Sequence, residues 1–128
     1  IDPLAATLAA ITAQRGLAAE PWSGVPPIHV RMAVHVGSAE ERDGDFFGQT
    51  LNRVSRLLAL AHGGQVLLSG AAADLCRDRL PDDASLLDLG EHPLKDLRQP
   101  ERIAQPIAPG LRAAFPALRG GGEFRHTL

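Results

Sequence analysis

Apolar and polar residues alternate most clearly over residues 28–36. The apolar residues occupy every second position from Ile28 to Val36, and His29, Arg31 and His35 lie between them. A period of two is typical of a β-strand, so the pattern predicts a strand over "IHVRMAVHVG". Because its alternate positions are largely polar, we expect one of its faces to be only partly covered.

Helical spacing of apolar residues predicts three helices. The first covers residues 3–19, with Asp2 as its cap, Pro3 in its first turn and Gly16 at a fraying end. The second covers about residues 48–61 and ends at the glycines of "HGG". The third is the short segment "AAADLCRDRL", which Pro81 stops.

The remaining regular segments read as short strands. "QVLLSG" is apolar and predicts a buried strand, and "SLLDLGEHPLKDL" predicts two short strands around a turn. "ERIAQPIAPG" predicts a last strand, in which Pro106 indicates a sheet edge or a strand end. "SAEERDGDFFG" is a loop or tight hairpin turning at Asp43-Gly44. Helices and strands mixed in this order predict an α+β fold with one sheet and helices packed on a face.

Composition narrows the class of protein. The 128 residues are 45% apolar and 22% charged, which predicts one folded domain with a packed core. The formal charge of -2 and the pI of about 6.2 argue against nucleic-acid binding, which needs a basic face. No stretch approaches the ~20 apolar residues of a membrane span, and the first residues given lack the basic start and cleavage pattern of a secretory signal. We therefore expect a cytoplasmic protein.

The residues that commonly bind metals form no recognisable set. Cys76 is the single cysteine, which excludes an intramolecular disulfide and a multi-cysteine zinc site, and we expect a buried thiol. The five histidines lack metal-ligand spacing. The sequence thus predicts no metal ligands in this chain.

The second helix carries a polar pair. Asn52 and Arg56 are four residues apart and project together, roughly opposite the apolar stripe that includes Val54, Leu57 and Leu58. A side-chain amide and a guanidinium group suit an anion that gains charge during a reaction, such as a phosphoryl group. The competing interpretation is an ordinary solvated helix face.

Four blocks of sequence carry a family resemblance. "VRMAVHVGSAEERDGDFFG", "DGDFFGQTLNRVSRLL", "AHGGQVLLSGAAADL" and "LLDLGEHPLKDLRQPERIAQ" resemble, in order, the cyclase homology domain of class III adenylate and guanylate cyclases. They look most like actinobacterial cyclase domains attached to larger regulators. The resemblance implies a ferredoxin-like-related cyclase fold with a mixed sheet over residues 1–117. Residues 118–128 would be a flexible tail or a cloning remnant.

The resemblance also implies a reaction and its residues. In the family, ATP becomes 3′,5′-cyclic AMP and pyrophosphate at a site between two cyclase domains. By position, Asn52 would orient the ribose and Arg56 would stabilise the pentavalent phosphate. Asp45 would contact the adenine amino group, and Lys95 the triphosphate. Alternatively, Asp45 is only a loop residue and Lys95 only a surface lysine, and Phe47 either packs or lines the purine pocket.

The sequence departs from the family at its start. The strand and hairpin that carry two metal aspartates in cyclases, ligands for Mg²⁺ or Mn²⁺, are not recognisable before the first helix. The lysine that usually partners Asp45 is not recognisable either. Two central strands would be missing, so "IHVRMAVHVG" would expose an unpaired edge that dimerises or pairs with an omitted segment.

Three hypotheses remain. The chain is the C-terminal part of an adenylate cyclase domain that acts as a homodimer and is inactive alone; or it is a catalytically inactive cyclase-like module that binds nucleotide or a partner; or it is a plain assembly domain. Metal aspartates in the parent protein would favour the first hypothesis.

Overall fold

A computed structural model describes residues 2–37, 45–95 and 97–120, and for residues 45–51 it describes the backbone alone. These ranges form helices, strands and one short 3-10 turn. In chain order they are α1 (Pro3–Ala19), β1 (Met32–Val34), α2 (Asp45–Leu60), β2 (Val66–Ser69), α3 (Gly70–Cys76), the 3-10 turn (Arg77–Arg79), β3 (Ser85–His92) and β4 (Glu101–Ile107).

The strands form one mixed sheet in the order β1-β2-β4-β3. β1 and β2 run parallel, whereas β4 is antiparallel to both β2 and β3. The parallel pair requires a crossover, and α2 supplies it. The predicted α+β class with a mixed sheet is confirmed.

Helices cover both faces of this sheet. Leu67 of β2 packs with Leu57 and Leu60 of α2, whereas Leu68 packs with Ala72 and other residues of α3. Successive side chains of a strand point to opposite faces, so α2 lies on one face and α3 on the other. α1 joins α3, because its Leu4 and Ala10 pack on the same cluster. The structure thus differs from the prediction in placing α2 opposite the other two helices.

Helix α1 has the predicted bounds. The Asp2 carboxylate accepts a hydrogen bond from the Leu4 N–H at 3.0 Å, which is the predicted cap. The helix continues past Gly16 to Ala19, so the predicted fraying at that glycine is wrong. Thr7 is buried on the inner side, with its Oγ1 at 3.6 Å from the Cys76 Sγ. The cysteine is fully buried, as predicted.

Strand β1 is much shorter than predicted. It covers three residues, and Ile28 at the predicted start is 54% exposed. The carbonyl of Val30 accepts from the Gly64 N–H at 2.9 Å and from the Gln14 Nε2 at 2.7 Å. A helix side chain and a turn amide therefore satisfy the Val30 carbonyl, where the alternating pattern predicted hydrogen bonds to a neighbouring strand.

The segment predicted as two strands around a turn is instead the one strand β3. Its register with β4 shifts between Asp88 and Glu91, and Gly90 has φ +85°. A bulge with a glycine in the left-handed region bends a strand without ending it, which explains the turn-like sequence. Pro106 is the last but one residue of β4, so the strand-end interpretation is right, although β4 lies inside the sheet.

The packed chain continues two residues past the predicted boundary at 117. Leu118 is buried with Leu57 and Leu60, and the Arg119 N–H donates to the Leu60 carbonyl at 2.9 Å. The His62 Nε2 lies 2.7 Å from the Ala117 carbonyl oxygen. Residues 121–128, the rest of the predicted tail, lie outside the described residues, as does the predicted turn at residues 43–44.

β1 is an edge strand of the described sheet. The Met32 N–H donates to the Gln65 carbonyl at 3.1 Å, which turns the amide and carbonyl of Ala33 toward the open side. A groove of about 800 Å³ runs along this side between α1 and α2. That a further strand pairs here, from a second copy or from another segment of the polypeptide, stays a prediction. Among the described residues no helix has both the length and the apolar character needed to cross a membrane.

Candidate active site on helix α2

Helix α2 is anchored by a narrow row of apolar residues. Leu57 is fully buried and Leu60 is 7% exposed, and both pack against the sheet. Val54 and Leu58, which the sequence placed in the same stripe, are only partly buried and line the groove beside β1. The predicted stripe therefore divides into a buried row and a groove-facing row.

Asn52 and Arg56 lie on the other flank of the buried row. At about 100° per residue, Arg56 falls about 100° from Leu57 around the helix axis and Asn52 about 40° further. Asn52 is exposed, whereas Arg56 is partly buried and engaged in a contact. The helix thus carries the two side chains one turn apart, with the arginine nearer to the protein than the sequence suggested.

Two other predicted site residues lie in the first turn of α2. The helix begins at Asp45, so Asp45 and Phe47 are helical and not part of the preceding loop. Two helical turns separate Asp45 from Asn52, which places both positions on the same side of the helix. The side chains of Asp45 and Phe47 lie outside the described residues, and their roles stay predictions.

Lys95 lies in a turn after β3 and is exposed. Its neighbour Leu94 is 3% exposed and belongs to the core cluster of Leu57 and Leu60. This packing brings the turn to the α2 face of the sheet. The role of Lys95 toward a triphosphate stays a prediction.

The structure reveals an ion pair that the sequence analysis missed. Arg53 Nη1 donates to Glu101 Oε1 at 2.6 Å, and Glu101 Oε2 accepts from the Gly70 N–H at 3.0 Å. One signal was available in the sequence: Arg53 falls one turn before Leu57, on the buried side of the helix. An arginine at such a position needs a buried anionic partner. The sequence does not identify that partner, because Glu101 is 48 residues away.

His35 lies beside this ion pair. Its Nδ1 is 2.8 Å from the Ser69 Oγ, which also accepts from the Ala72 N–H at 3.3 Å and so caps α3. Burial lowers the pKa of His35 below its ordinary value of 6.5; the charge of Glu101 opposes this and the charge of Arg53 adds to it. The neutral imidazole is therefore the form that the fold favours.

We expect the neutral form of His35 to make stability pH-dependent. The folded pKa is depressed, so as the pH falls through 6.5 the unfolded chain takes up a proton before the folded chain does. The free energy of unfolding should then decrease until the lower folded pKa is reached. Chemical denaturation above and below pH 6.5 should show a smaller pH dependence for His35→Gln than for wild type. The exposed His29→Gln is the control, and an unchanged pH dependence in His35→Gln would contradict the prediction.

The described residues do not by themselves fit a divalent cation. Among the described parts of the chain, no three His, Cys, Asp or Glu side chains come together as metal ligands would. The polar cluster around Glu101 is already satisfied by Arg53 and Gly70.

Comparisons with known proteins show which proteins this chain resembles in sequence. No protein-family model matches the chain. An uncharacterized protein of Mycobacterium tuberculosis is 48% identical over 97 residues, which are 76% of this chain and 34% of the relative. A receptor-type adenylate cyclase of Trypanosoma brucei brucei is 31% identical over 105 residues, which are 77% of this chain and 8% of the relative. The chain therefore spans about a third of the mycobacterial relative and a small part of the trypanosomal one.

Solved structures share the fold. An adenylate cyclase of Trypanosoma brucei, solved in its monomeric state, superimposes with a TM-score of 0.67 at 22% identity and covers 91% of this chain and 68% of that chain. An adenylate/guanylate cyclase/hydrolase from Silicibacter pomeroyi superimposes with a TM-score of 0.65 at 25% identity, over 84% of this chain and 63% of that chain. The chain thus has the fold of adenylate/guanylate cyclase domains and is similar to such cyclases in sequence.

The roles of Asn52 and Arg56 toward a nucleotide stay predictions. The mycobacterial relative is consistent with the predicted actinobacterial type.

Proposed function

We propose that this chain supplies one set of active-site groups of an adenylate cyclase, which converts ATP to 3′,5′-cyclic AMP and pyrophosphate. The observation that carries the proposal is the presentation of Asn52 and Arg56 on the flank of a helix held by buried Leu57. This arrangement occurs in a chain with the fold of cyclase domains.

The reaction depends mainly on the positioning of the nucleotide and on neutralisation of the charge on its phosphates. The ribose 3′ oxygen forms a bond to the α-phosphorus and loses its proton, while the bond from that phosphorus to the bridging oxygen of the β-phosphate breaks. Negative charge accumulates on the equatorial oxygens, and the fixed guanidinium of Arg56 would stabilise it. The Asn52 amide would orient the ribose so that its hydroxyl lies in line with the leaving pyrophosphate.

Substrate binding would use three further residues. A carboxylate at Asp45 accepts a hydrogen bond, which matches the amino group of adenine and favours ATP over GTP. The exposed ammonium of Lys95 would bind the triphosphate, and the ring of Phe47 would line the purine site. The closing groups would come from a second cyclase domain, most simply in a homodimer. Mg²⁺ or Mn²⁺, held by aspartates expected from the N-terminal part of a cyclase domain and not from this chain, would supply further charge neutralisation.

The test compares the 128-residue chain with its full-length parent. Each is incubated with ATP and Mn²⁺, and cyclic AMP is quantified by chromatography. We expect cyclic AMP from the parent and little or none from the chain alone, because the two metal aspartates of the family are not recognisable in its sequence. Clear manganese-dependent synthesis by the chain alone would contradict the division of groups proposed here.

The same experiment separates the competing functions. A parent that makes no cyclic AMP but melts at a higher temperature with ATP would be a regulatory nucleotide-binding module. A parent whose melting temperature does not change with any nucleotide would be an assembly domain. Either result would overturn the proposed activity.

A further inference from the structure

A nearly buried carboxylate lies beneath helix α2. Glu101 begins β4, two residues before Ile103, and side chains two apart on a strand share a face. Ile103 packs with Leu57, so Glu101 points to the α2 side of the sheet. Its side chain is 11% exposed. A carboxylate in such a place is unfavourable unless its oxygens are paired.

Both oxygens of Glu101 are used, and each reaches a different element. Oε1 accepts from Arg53 Nη1 of α2 at 2.6 Å, and Oε2 accepts from the Gly70 N–H, the first residue of α3, at 3.0 Å. The adjacent Ser69 caps α3 and contacts His35 after β1. One carboxylate thus connects the second helix to the junction of β2 and α3.

The ion pair constrains a motion that apolar packing leaves free. Burial of Leu57 and Leu60 holds α2 against the sheet, but hydrophobic contact has no preferred direction. A short charge-assisted hydrogen bond is directional, so the pair from Arg53 to Glu101 resists rotation of α2 about its axis.

Arg53 is well placed to control the candidate active site. It adjoins Asn52 in the chain and lies about 60° from Arg56 around the helix axis. A rotation of α2 that lengthened the ion pair would swing both side chains by the same angle. Small errors of position in phosphoryl transfer have large effects on rate.

We propose that Arg53 and Glu101 are positioning residues that set the rotation of α2 and thereby aim Asn52 and Arg56 at the nucleotide. The effect of this positioning on catalysis rests on the proposed function, whereas its effect on the rotation of α2 does not. Neither residue touches the substrate in this role. Their loss should alter the presentation of the α2 pair even where the chain remains folded.

The chain offers a matched control on the same strand. Arg102 pairs with Asp74 of α3 at 2.7 Å, and these side chains are 50% and 56% exposed. Arg102 points to the face opposite Glu101, away from α2. Asp74→Asn therefore removes an ion pair next to Glu101 without affecting the rotation of α2.

The first experiment needs no catalytic activity. Proton–nitrogen NMR spectra follow the side-chain amide of Asn52 and the Nε–H of Arg56 in wild type, Glu101→Gln, Arg53→Lys and Asp74→Asn. We expect both signals to shift in the first two variants and to stay in place in Asp74→Asn. Arg53→Lys keeps the positive charge, so it remains informative if Glu101→Gln fails to fold. Unshifted Asn52 and Arg56 signals in a folded Glu101→Gln or Arg53→Lys chain would overturn the proposal.

The second experiment measures kinetics in the full-length parent. Glu101→Gln should lower kcat roughly 10- to 100-fold with little change in KM for ATP, because orientation and not binding is lost. Asp74→Asn should match wild type, and a purely structural role would reduce the amount of folded enzyme without changing kcat per active site. Wild-type kcat in Glu101→Gln would overturn the catalytic consequence. An inactive wild-type parent would instead overturn the proposed function, and the NMR result would then decide the positioning by itself.

Discussion

Replacing Arg56 by alanine in the full-length parent is expected to lower the rate of cyclic AMP formation far more than the affinity for ATP. The guanidinium is proposed to bind charge that develops at the α-phosphate only in the transition state. Removing one such preorganised donor typically lowers kcat by roughly 10²- to 10³-fold. Steady-state kinetics with ATP, together with a direct measurement of nucleotide binding, separates the two effects.

The control for this prediction is Arg77→Ala, which removes an exposed arginine at the end of α3. This variant should leave both kcat and the affinity for ATP unchanged. Arg56 is also engaged in a contact within the chain, so the melting temperatures of both variants should be compared. Equal losses of turnover and ATP affinity in Arg56→Ala would contradict the role assigned to it. Such a result would indicate that the arginine binds the ground state.

The second large effect concerns the anchor of α2. Leu57→Ala removes a fully buried side chain at the centre of the cluster that includes Leu67 and Ile103. The lost transfer energy and the cavity left behind should destabilise the chain by about 3 kcal/mol. For a domain of this size, the melting temperature should fall by roughly 10 °C, which calorimetry or thermal circular dichroism measures.

The matched control is Leu75→Ala on α3, where the same atoms are removed from a side chain that is 50% exposed. A change within about 0.5 kcal/mol is expected there, because little of that side chain leaves water on folding. If both variants lost the same stability, Leu57 would not be the anchor of α2 that the structure indicates.

Local patterns predicted the elements whose causes are local. The cap at Asp2, the buried strand β2 and the helix stopped before Pro81 were all recognisable, because caps, apolar runs and proline act within a few residues. The predictions for β1 and β3 were wrong because the contacts that determine these strands come from distant parts of the chain. The carbonyl of Val30 is satisfied by Gln14 from α1, and the turn-like glycine of β3 lies in a bulge that only pairing with β4 defines.

The candidate site was only partly predictable. The spacing of Asn52 and Arg56 and the family resemblance identified the pair without coordinates, since two positions on one helix are related by the helical repeat alone. The sequence did not single out Arg53, because its role depends on the carboxylate of Glu101, which lies beneath it only in the folded chain.

The sequence by itself determined that this protein has an α+β cyclase homology fold and that an asparagine and an arginine project together from its second helix. Only the tertiary structure decided that α2 lies opposite α1 and α3, and that Arg53 and Glu101 meet beneath it. Periodicity relates neighbours along one element, where the backbone repeat sets the geometry. The face that an element covers, and the partner of a buried charge, follow from which distant segments pack together.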